Sequence, residues 1–451
     1  MEMGLIGLII VIAVIIGAIV TKRCTECLLL GSVIGAVILY KGEFLTEWVN
    51  VLQFVVGDEA WLWLVCGLFG SLIALLTASK GTYGFSKIMG KICNTARKSM
   101  FATYIMGILI FIDDYLNVLS IGTCMKGLFD KRKLPREALA FILDSTGAPV
   151  CVLLPFSTWA VFYAGLFYEE DVITESYSSG LSAYITAIPF CFYPICALIV
   201  VFLFCAGVFP KLGGMKKAYK RVEETGMVYS ESSRKYNHDE HAGYEEDGNV
   251  WDFLIPMIVM IAASFISNEI LIGVIVGLVA CAVMYIPRKL MNMEKFMNLT
   301  VSGFGTMLSI FFLLTACFTL QEVTASMGMT EYIIERVQPF LTPQIFPAVC
   351  FLLLGALAFV TASDWGMSAV VCPIFLPLAG ALGASIPLTM AAIISGGTFG
   401  SHACFYADAT VLASQASGID NMDHALSQLP YVAISGVIAI VCFAVTGNIL
   451  T

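Results

Sequence analysis

Long apolar runs separated by short polar segments dominate this sequence. A run of roughly 20 apolar residues has the length of a membrane-crossing helix. Such spans are predicted at 3–21, 26–40, 60–79, 181–207, 251–267, 270–286, 299–321 and 430–449. Together with longer runs that break midway, the pattern predicts an all-α polytopic membrane protein with about ten spans.

The longer apolar runs contain polar residues that hydrocarbon disfavours. Asp113, Asp114 and Asn117 lie in the middle of one such run, and a carboxylate there costs ~2.5 kcal/mol or more. Helix breaks at membrane depth must be buried in protein or line a wet cavity. The runs are 99–125, 138–168 with DSTGAP (144–149) and PFSTW (155–159), 344–384 with SDWG (363–366), and 386–415 with the Gly-rich SGGTFGS (395–401).

The distribution of Lys and Arg indicates how the run 99–125 lies in the membrane. Basic residues near span ends collect on the cytoplasmic side. A single crossing would place the basic segments 80–98 and 126–136 on opposite sides. If the run instead enters and returns on one side, all but two of the 24 Lys and Arg, Lys41 and Arg336, become cytoplasmic. The charge pattern therefore predicts a re-entrant hairpin.

The second half repeats this order of elements in the opposite orientation. Thr77-Ala-Ser-Lys-Gly81 matches Thr324-Ala-Ser-Met-Gly328, and Asp114 matches Asp364. Thr146 in DSTGAP then falls opposite Thr398. Because the charge pattern gives the two halves opposite directions, we predict an inverted repeat, which is typical of secondary transporters.

These elements divide the chain into predicted parts. The N-terminal scaffold spans occupy 1–59, and the flexible cytoplasmic loop 208–250 and linking spans 251–286 separate the repeats. The first repeat is 60–207, with interfacial helix 81–98, hairpin 99–125 and broken helix 138–168. The second is 299–449, with interfacial helix 327–341, hairpin 344–384 from the opposite face and broken helix 386–415.

Composition limits the function classes. Hydrophobic residues make up 59% of the chain and charged residues 13%, whereas soluble domains have roughly 25% charged residues. No nucleophile–base pair or nucleotide-binding loop is recognisable, so neither an enzyme nor a cofactor is expected. The N-terminus carries Glu2 and no basic residue before its apolar run, which favours a retained first span.

Oxygen-bearing side chains at the predicted breaks are the candidate ion ligands. Helix C-terminal carbonyls coordinate cations, and hard cations such as Na⁺ take several oxygen ligands. A buried Asp can instead carry a proton that competes with the cation. The candidates are Asp113, Asp114, Asn117, Asp144, Ser145, Thr146, Ser363, Asp364, Thr398, Ser401, His402 and Asp408, with Na⁺ expected near Asp114, Asn117 and Asp144.

Some of these residues have simpler interpretations. Asp113 or Asp114 could cap the second arm of the hairpin, because Asp is common at helix starts. His402 could sense protons or be a hydrogen-bonded structural residue. Asp408 could be solvated if its broken helix is shifted outward. Trp159 and Trp365 fit packing or the wall of a substrate cavity.

The stretch FIDDYLNVLSIGTCMKGLFDKRKLPREALAFILDSTGAPVCVLLPFSTW (111–159) resembles the signature region of the NhaC family of sodium:proton antiporters. That family reads DDYxN, a basic DK loop, DSTAAP and PxSxW. The resemblance implies cation-coupled transport, scaffold and transport domains, a homodimer and an elevator motion. On matching positions it points to Asp113, Asp114, Asn117, Asp144, Ser145 and Thr146.

The second family motif departs from that pattern. Antiporter members typically read GDHxSPISDTT, whereas residues 400–410 read GSHACFYADAT. His402, Asp408 and Thr410 remain, but Ser401 replaces an acid. Phe405 and Tyr406 would suit an organic solute, and the family includes amino-acid and malate/lactate carriers.

The sequence therefore predicts a secondary active transporter of the cytoplasmic membrane that exchanges Na⁺ for H⁺ by alternating access. The alternative is a sodium-coupled symporter or exchanger of a small organic solute, such as an amino acid or a carboxylate. The expected partners are Na⁺, H⁺, the lipid bilayer and a second copy of the chain. The N-terminus is expected outside and the loop 208–250 in the cytoplasm.

Overall fold

The structure is a computed structural model that describes residues 2–21, 24–58, 60–81, 84, 93–234, 248–267, 269–305, 307–329, 332, 341–405 and 407–450. Its first half contains α1 (Glu2–Thr21), α2 (Cys24–Tyr40), α3 (Phe44–Asp58), α4 (Ala60–Ala78), α5 (Ala96–Leu109), α6 (Asp114–Lys131), α7 (Arg136–Thr146), α8 (Ala148–Cys151), α9 (Thr158–Tyr168), α10 (Asp171–Thr174), α11 (Gly180–Ala187) and α12 (Phe192–Cys205).

The remaining helices follow the polar segment after α12. They are α13 (Gly213–Thr225), α14 (Trp251–Ser267), α15 (Ile270–Tyr285), α16 (Met293–Gly305), α17 (Leu308–Ser326), α18 (Phe346–Thr361), α19 (Asp364–Leu382), α20 (Ile386–Ala403), α21 (Asp408–Ser417) and α22 (Asn421–Leu450). Short 3₁₀ turns cover Lys41–Glu43 and Ile188–Phe190. The described residues thus form an all-helical protein, as the apolar pattern predicts.

Three helical stretches of the described chain are long and apolar enough to cross a membrane on their own: Thr25–Asp58, Asp364–Leu382 and Asn421–Leu450. A fourth would be the pair Gly180–Phe190 and Phe192–Cys205, which is bent by 50°. Shorter apolar helices include Met3–Val14, Trp251–Ser264, Leu271–Tyr285 and Phe346–Phe359. The chain is accordingly a multi-pass membrane protein, and the total of about ten spans stays a prediction.

Several predicted span boundaries are wrong. The helix predicted to end at residue 40 continues to Asp58 through the 3₁₀ turn. The predicted span 181–207 breaks at Cys191, where Pro189 and Pro194 each remove a backbone donor. The predicted span 299–321 is two helices, because α16 ends at Gly305 and α17 begins at Leu308.

The chain reverses between α5 and α6, in the run 99–125. The Asn117 side chain at the start of α6 contacts the carbonyl of Gly107 in the last turn of α5, at 2.7 Å. Ten residues of one straight helix would span about 15 Å. The second run, 344–384, is also interrupted, since α18 ends at Thr361 and α19 begins at Asp364 after Ala362 in the left-handed region, with φ of 57°.

The two predicted broken helices differ in where they break. In the first, α7 ends at Thr146, α8 begins after Gly147, and α9 begins after Ser157. In the second, the Gly-rich segment 395–401 was expected to break, but α20 runs through it to Ala403. Its glycines permit close helix packing instead: a Cβ at Gly396 would lie 2.9 Å from the Phe351 carbonyl oxygen.

The segment 208–250, predicted as a flexible loop, forms a helix in its first part. Helix α13 buries Met215, Ala218 and Val222. These residues recur every three or four positions and give the helix one apolar face. Residues 235–247, most of 82–92, and 330–340 apart from Tyr332 lie outside the described residues, and so does most of both predicted interfacial helices.

Candidate functional site

The first break, which is the turn between α5 and α6 together with the end of α7, brings three helix C-terminal carbonyls to one side chain. Asn117 Nδ2 lies 2.7 Å from the Gly107 carbonyl oxygen, 2.8 Å from that of Ile110 and 3.2 Å from that of Thr146. The first two close α5 and the third closes α7. An amide nitrogen has two hydrogens for these three acceptors. Such convergent carbonyls, each at the negative end of a helix, favour a positive charge.

Asp113 and Asp114 face α9. Thr158 Oγ1 donates to Asp113 Oδ2 at 3.3 Å, and Trp159 Nε1 donates to Asp114 Oδ1 at 3.2 Å. Both aspartates are buried. The carbonyl of Asp113 also accepts the N–H of Asn117, which places Asp113 at the cap position of α6. The side chains therefore join the first break to the start of α9.

Asp144 is held by a helix that the sequence did not connect with it. His424 Nε2 lies 3.0 Å from Asp144 Oδ2, and Gln428 Nε2 donates to the same oxygen at 2.7 Å. All three side chains are at most 2% exposed. His424 and Gln428 lie one turn apart on α22, so their shared face encloses the carboxylate.

His402 connects this cluster to the rest of the core. Tyr193 OH lies 2.7 Å from His402 Nδ1, and Ser145 Oγ lies 3.4 Å from His402 Nε2. Gln428 Nε2 also donates to the His402 carbonyl at 3.0 Å. Since His402 stands in the last turn of α20, helices α7, α12, α20 and α22 meet at one buried polar network.

The second break forms its own cluster around Asp364. Tyr163 OH donates to Asp364 Oδ1 at 2.7 Å, and Ser368 Oγ donates to the same oxygen at 3.0 Å. A Cβ at Gly397 would lie 1.8 Å from that oxygen, so the carboxylate lies directly on α20. Ser363 caps α19 by accepting the N–H of Gly366 at 3.1 Å.

Helix α9 joins the two breaks. Trp159 binds Asp114, and Tyr163, one turn later, binds Asp364. The ring of Trp159 also packs on Trp365, with 4.7 Å between centroids. One face of α9 therefore contacts both aspartates that the repeat pairs.

The paired threonines make the same contact in each half. Thr146 Oγ1 donates to the Ile142 carbonyl at 2.7 Å, and Thr398 Oγ1 donates to the Ile394 carbonyl at 2.8 Å. Both side chains are fully buried. Their hydroxyls are thus used within their own helices.

The remaining candidates lie around the end of α20. Ser401 is buried, and its carbonyl accepts the N–H of Cys404. Asp408 begins α21, but its side chain lies outside the described part of the chain, as does Tyr406. The backbone of Asp408 therefore lies just beyond the end of α20, at the start of α21.

Several buried side chains of the described core helices have a polar atom that makes no hydrogen bond. Within the described residues, these buried atoms have no hydrogen-bond partner: Asn117 Oδ1, Ser395 Oγ, Thr410 Oγ1, Ser417 Oγ, His424 Nδ1 and Gln428 Oε1. Buried polar atoms are normally paired. The described residues contain no cluster of three or more His, Cys, Asp or Glu that could hold a metal ion. The unpaired oxygens of these side chains are further candidate ligands for a hard cation.

Sequence reasoning missed His424, Gln428, Tyr193 and Tyr163. The segment containing His424 and Gln428 was placed before the final span, whereas α22 begins at Asn421 and includes both. A usable signal was present, because His and Gln four positions apart share one helix face. The tyrosines gave no such signal, since aromatic residues in apolar runs usually serve packing.

Sequence comparison identifies one protein family and three individual relatives. The sequence profile of the Na⁺/H⁺ antiporter family matches residues 161–448. An uncharacterized protein of Haemophilus influenzae is 24% identical over 93% of this chain and 86% of its own. An arginine/ornithine antiporter, ArcD, of Halobacterium salinarum is 31% identical over 33% of this chain and 30% of its own. A malate-2H⁺/Na⁺-lactate antiporter of Bacillus subtilis is 28% identical over 33% of this chain and 32% of its own.

Two solved transporter structures share the fold. The YdaH transporter of Alcanivorax borkumensis superposes with a TM-score of 0.64 at 12% identity, covering 90% of this chain and 89% of that one. MtrF of Neisseria gonorrhoeae superposes with a TM-score of 0.58 at 14% identity, covering 89% of this chain and 83% of that one. At these identities the likeness concerns the fold alone.

Proposed function

Because this chain belongs to the Na⁺/H⁺ antiporter family, in which secondary transport is the shared activity, we propose that it exchanges Na⁺ for H⁺ across the cytoplasmic membrane. The observation that carries the proposal is the convergence of three helix-end carbonyls on Asn117. Half-helix C-termini of this kind coordinate the coupling cation in secondary transporters. Transport, rather than an enzymatic reaction, is the proposed activity.

Sodium takes the place of the Asn117 amide nitrogen in this mechanism. The cation is drawn to the carbonyl oxygens of Gly107, Ile110 and Thr146, and the Asn117 side chain turns so that its amide oxygen becomes a ligand. This oxygen has no hydrogen-bond partner among the described residues. Carbonyl and amide oxygens are suitable ligands for a hard cation.

Asp144 binds and releases the proton that is exchanged for sodium. Its carboxylate lies two residues before Thr146, in the same last turn of α7. Sodium at the Thr146 carbonyl would favour ionised Asp144, because opposite charges attract strongly at a site of low dielectric. Conversely, a proton on Asp144 weakens sodium binding. This reciprocal effect converts sodium entry into proton release.

The structural part of the proposal follows the inverted repeat. Segments 60–207 and 299–449 form the repeats, and hairpins at 99–125 and 344–384 enter from opposite faces. The transport domain moves against the N-terminal scaffold as an elevator, within a homodimer. The N-terminus lies outside and the segment 208–250 in the cytoplasm. The matching order of sequence elements in the two halves supports this pairing.

Flux measurements in proteoliposomes test this function. An imposed Na⁺ gradient should drive proton movement without any organic solute, and Asn117→Ala should abolish it. Thr324→Val is the matched control, since Thr324 is equally buried but bonds within α17. Undiminished exchange by Asn117→Ala would contradict the proposal.

A second candidate is sodium-coupled transport of a small organic solute. The ring pair of Trp159 and Trp365 beside two buried aspartates favours it, because aromatic faces and carboxylates together recognise organic ammonium groups. Two partial relatives are named as carriers of amino acids and carboxylates. Sodium uptake that requires an added amino acid or carboxylate, with no solute-independent proton flux, would favour this alternative.

A further inference from the structure

Residues 226–234, here called the clasp, connect the ends of the two helices that carry Asp144 and His424. The clasp follows α13 and crosses from the first turn of α7 to the first turn of α22. Neither the ion site nor the packing of α13 explains these contacts, because α13 docks on α22 through other residues. Gly214, for example, approaches the backbone of Ser427.

At α7, the clasp binds the backbone of the first turn, while Arg221 of α13 binds both the clasp and a charge of that turn. The N–H of Arg136 donates to the Val228 carbonyl at 2.9 Å. Arg221 of α13 forms two parallel hydrogen bonds of 2.8 Å to the Glu137 carboxylate and another of 3.2 Å to the Val228 carbonyl. Arg136 and Glu137 are each 3% exposed. Bidentate pairs of this kind are geometrically specific.

At α22, the clasp surrounds one carboxylate with hydroxyl groups. Ser232 Oγ donates to Asp423 Oδ2 at 2.8 Å, Ser233 Oγ donates at 3.0 Å, and Ser230 Oγ donates to the same oxygen. Ser233 Oγ also accepts the backbone N–H of Asp420 at 2.8 Å. The first turn of α22 is therefore fixed by the clasp.

These contacts lie close to the buried pair. Asp423 directly precedes His424 on α22, and Arg136 stands eight residues before Asp144 on α7, about 12 Å along that helix. A displacement of the first turn of α22 would move His424 and alter its 3.0 Å contact with Asp144.

We propose that Asp423 is a positioning residue, which the clasp serines hold so that His424 stays against Asp144. The inference rests on the proposed exchange function. Loosening the clasp withdraws His424 from the carboxylate, so Asp144 is no longer held in its place beside the end of α7. The half-saturating Na⁺ concentration should then rise, while the maximal rate is retained.

Alanine and asparagine variants in proteoliposomes test the clasp. Asp423→Ala, and the triple replacement of Ser230, Ser232 and Ser233 by Ala, should each raise the half-saturating Na⁺ concentration about fivefold. Combining Asp423→Ala with the triple serine variant should raise this concentration little further, because both changes remove the same set of contacts. Asp423→Asn should stay near wild type, since its amide oxygen still accepts the serine hydroxyls.

Glu231→Ala is the matched control. Glu231 lies in the clasp but is exposed and pairs with Arg234, so its loss should leave the half-saturating Na⁺ concentration unchanged. If the triple variant does not fold, the single change Ser232→Ala, which affects an exposed residue, should still raise the half-saturating Na⁺ concentration.

A native half-saturating Na⁺ concentration in Asp423→Ala and in Ser232→Ala would overturn the inference. A fall in maximal rate with unchanged affinity would do so as well, because that is the signature of a merely structural role. Failure of the exchange proposal is recognised separately, by full exchange activity in Asp144→Asn.

Discussion

His424 Nε2 lies 3.0 Å from Asp144 Oδ2, although 280 positions separate the two residues. The contact joins the last helical turn before the first break to a helix near the end of the chain. It makes the ion chemistry at Asp144 depend on the geometry of α22. The predictions below follow from this arrangement.

Asp144→Asn should abolish coupled exchange and leave a folded, inserted protein. The amide keeps the shape of the carboxylate and can still accept from Gln428, but it cannot lose or gain a proton. The rate of coupled exchange should fall at least about hundredfold if the carboxylate carries the coupling charge. Proton flux in proteoliposomes measures it, with the elution profile of the solubilised protein as the control for folding. Appreciable exchange would remove Asp144 from the mechanism.

His424→Gln should retain exchange but weaken sodium binding. Glutamine can still donate a hydrogen bond toward Asp144, but it does not place its donor where the imidazole nitrogen lies. Loss of a hydrogen bond to a charged group costs about 1.5–3 kcal/mol, so imperfect replacement should raise the half-saturating Na⁺ concentration roughly tenfold or more. Exchange rates measured over a range of Na⁺ concentrations test this, and a wild-type half-saturating concentration would speak against a role for His424.

Gly397→Ala should disrupt transport through Asp364. The added Cβ would lie 1.8 Å from Asp364 Oδ1, so the carboxylate must leave Tyr163 and Ser368. Gly57→Ala is the matched control, because nothing described lies within 4 Å of its Cβ position. If both variants transport sodium alike, the Asp364 cluster is not needed for the cycle.

Glu170→Gln should make the protein less sensitive to alkaline pH. Burial, followed by the charges of Glu169 and Asp171, raises the pKa of Glu170 to about 8. A raised folded-state pKa means stability that is present at low pH and is lost as pH rises through about 8. Thermal unfolding of the wild type should therefore shift to lower temperature between about pH 5 and about pH 9, and less so in the variant. Parallel curves would contradict this assignment.

The sequence predicted the helical membrane class, and the family match over residues 161–448 confirms the family that residues 111–159 resemble. The first break could be predicted because Gly147 and Pro149 interrupt α7 within an apolar run. The break predicted at the Gly-rich segment 395–401 was misplaced, because glycine in a membrane helix can serve packing as well as breaking. Gly400, like Gly396, lets α20 approach α18 closely.

The composition of the site was harder to predict than its location. The polar residues at the breaks were identified because carboxylates in apolar runs are costly. Their partners were not, since no local pattern indicates which distant helix lies beside Asp144. His424 and Gln428 became part of the site only through tertiary packing of α22 on α7 and α20.

Proton release on sodium binding by the purified protein tests the central claim most directly. In weakly buffered detergent solution, added Na⁺ should release protons from the wild type and from Thr324→Val, and should release none from Asn117→Ala or Asp144→Asn. This result would place sodium at the Asn117 carbonyl cluster and the proton on Asp144. Proton release of wild-type size from Asp144→Asn, or none from the wild type, would contradict the account.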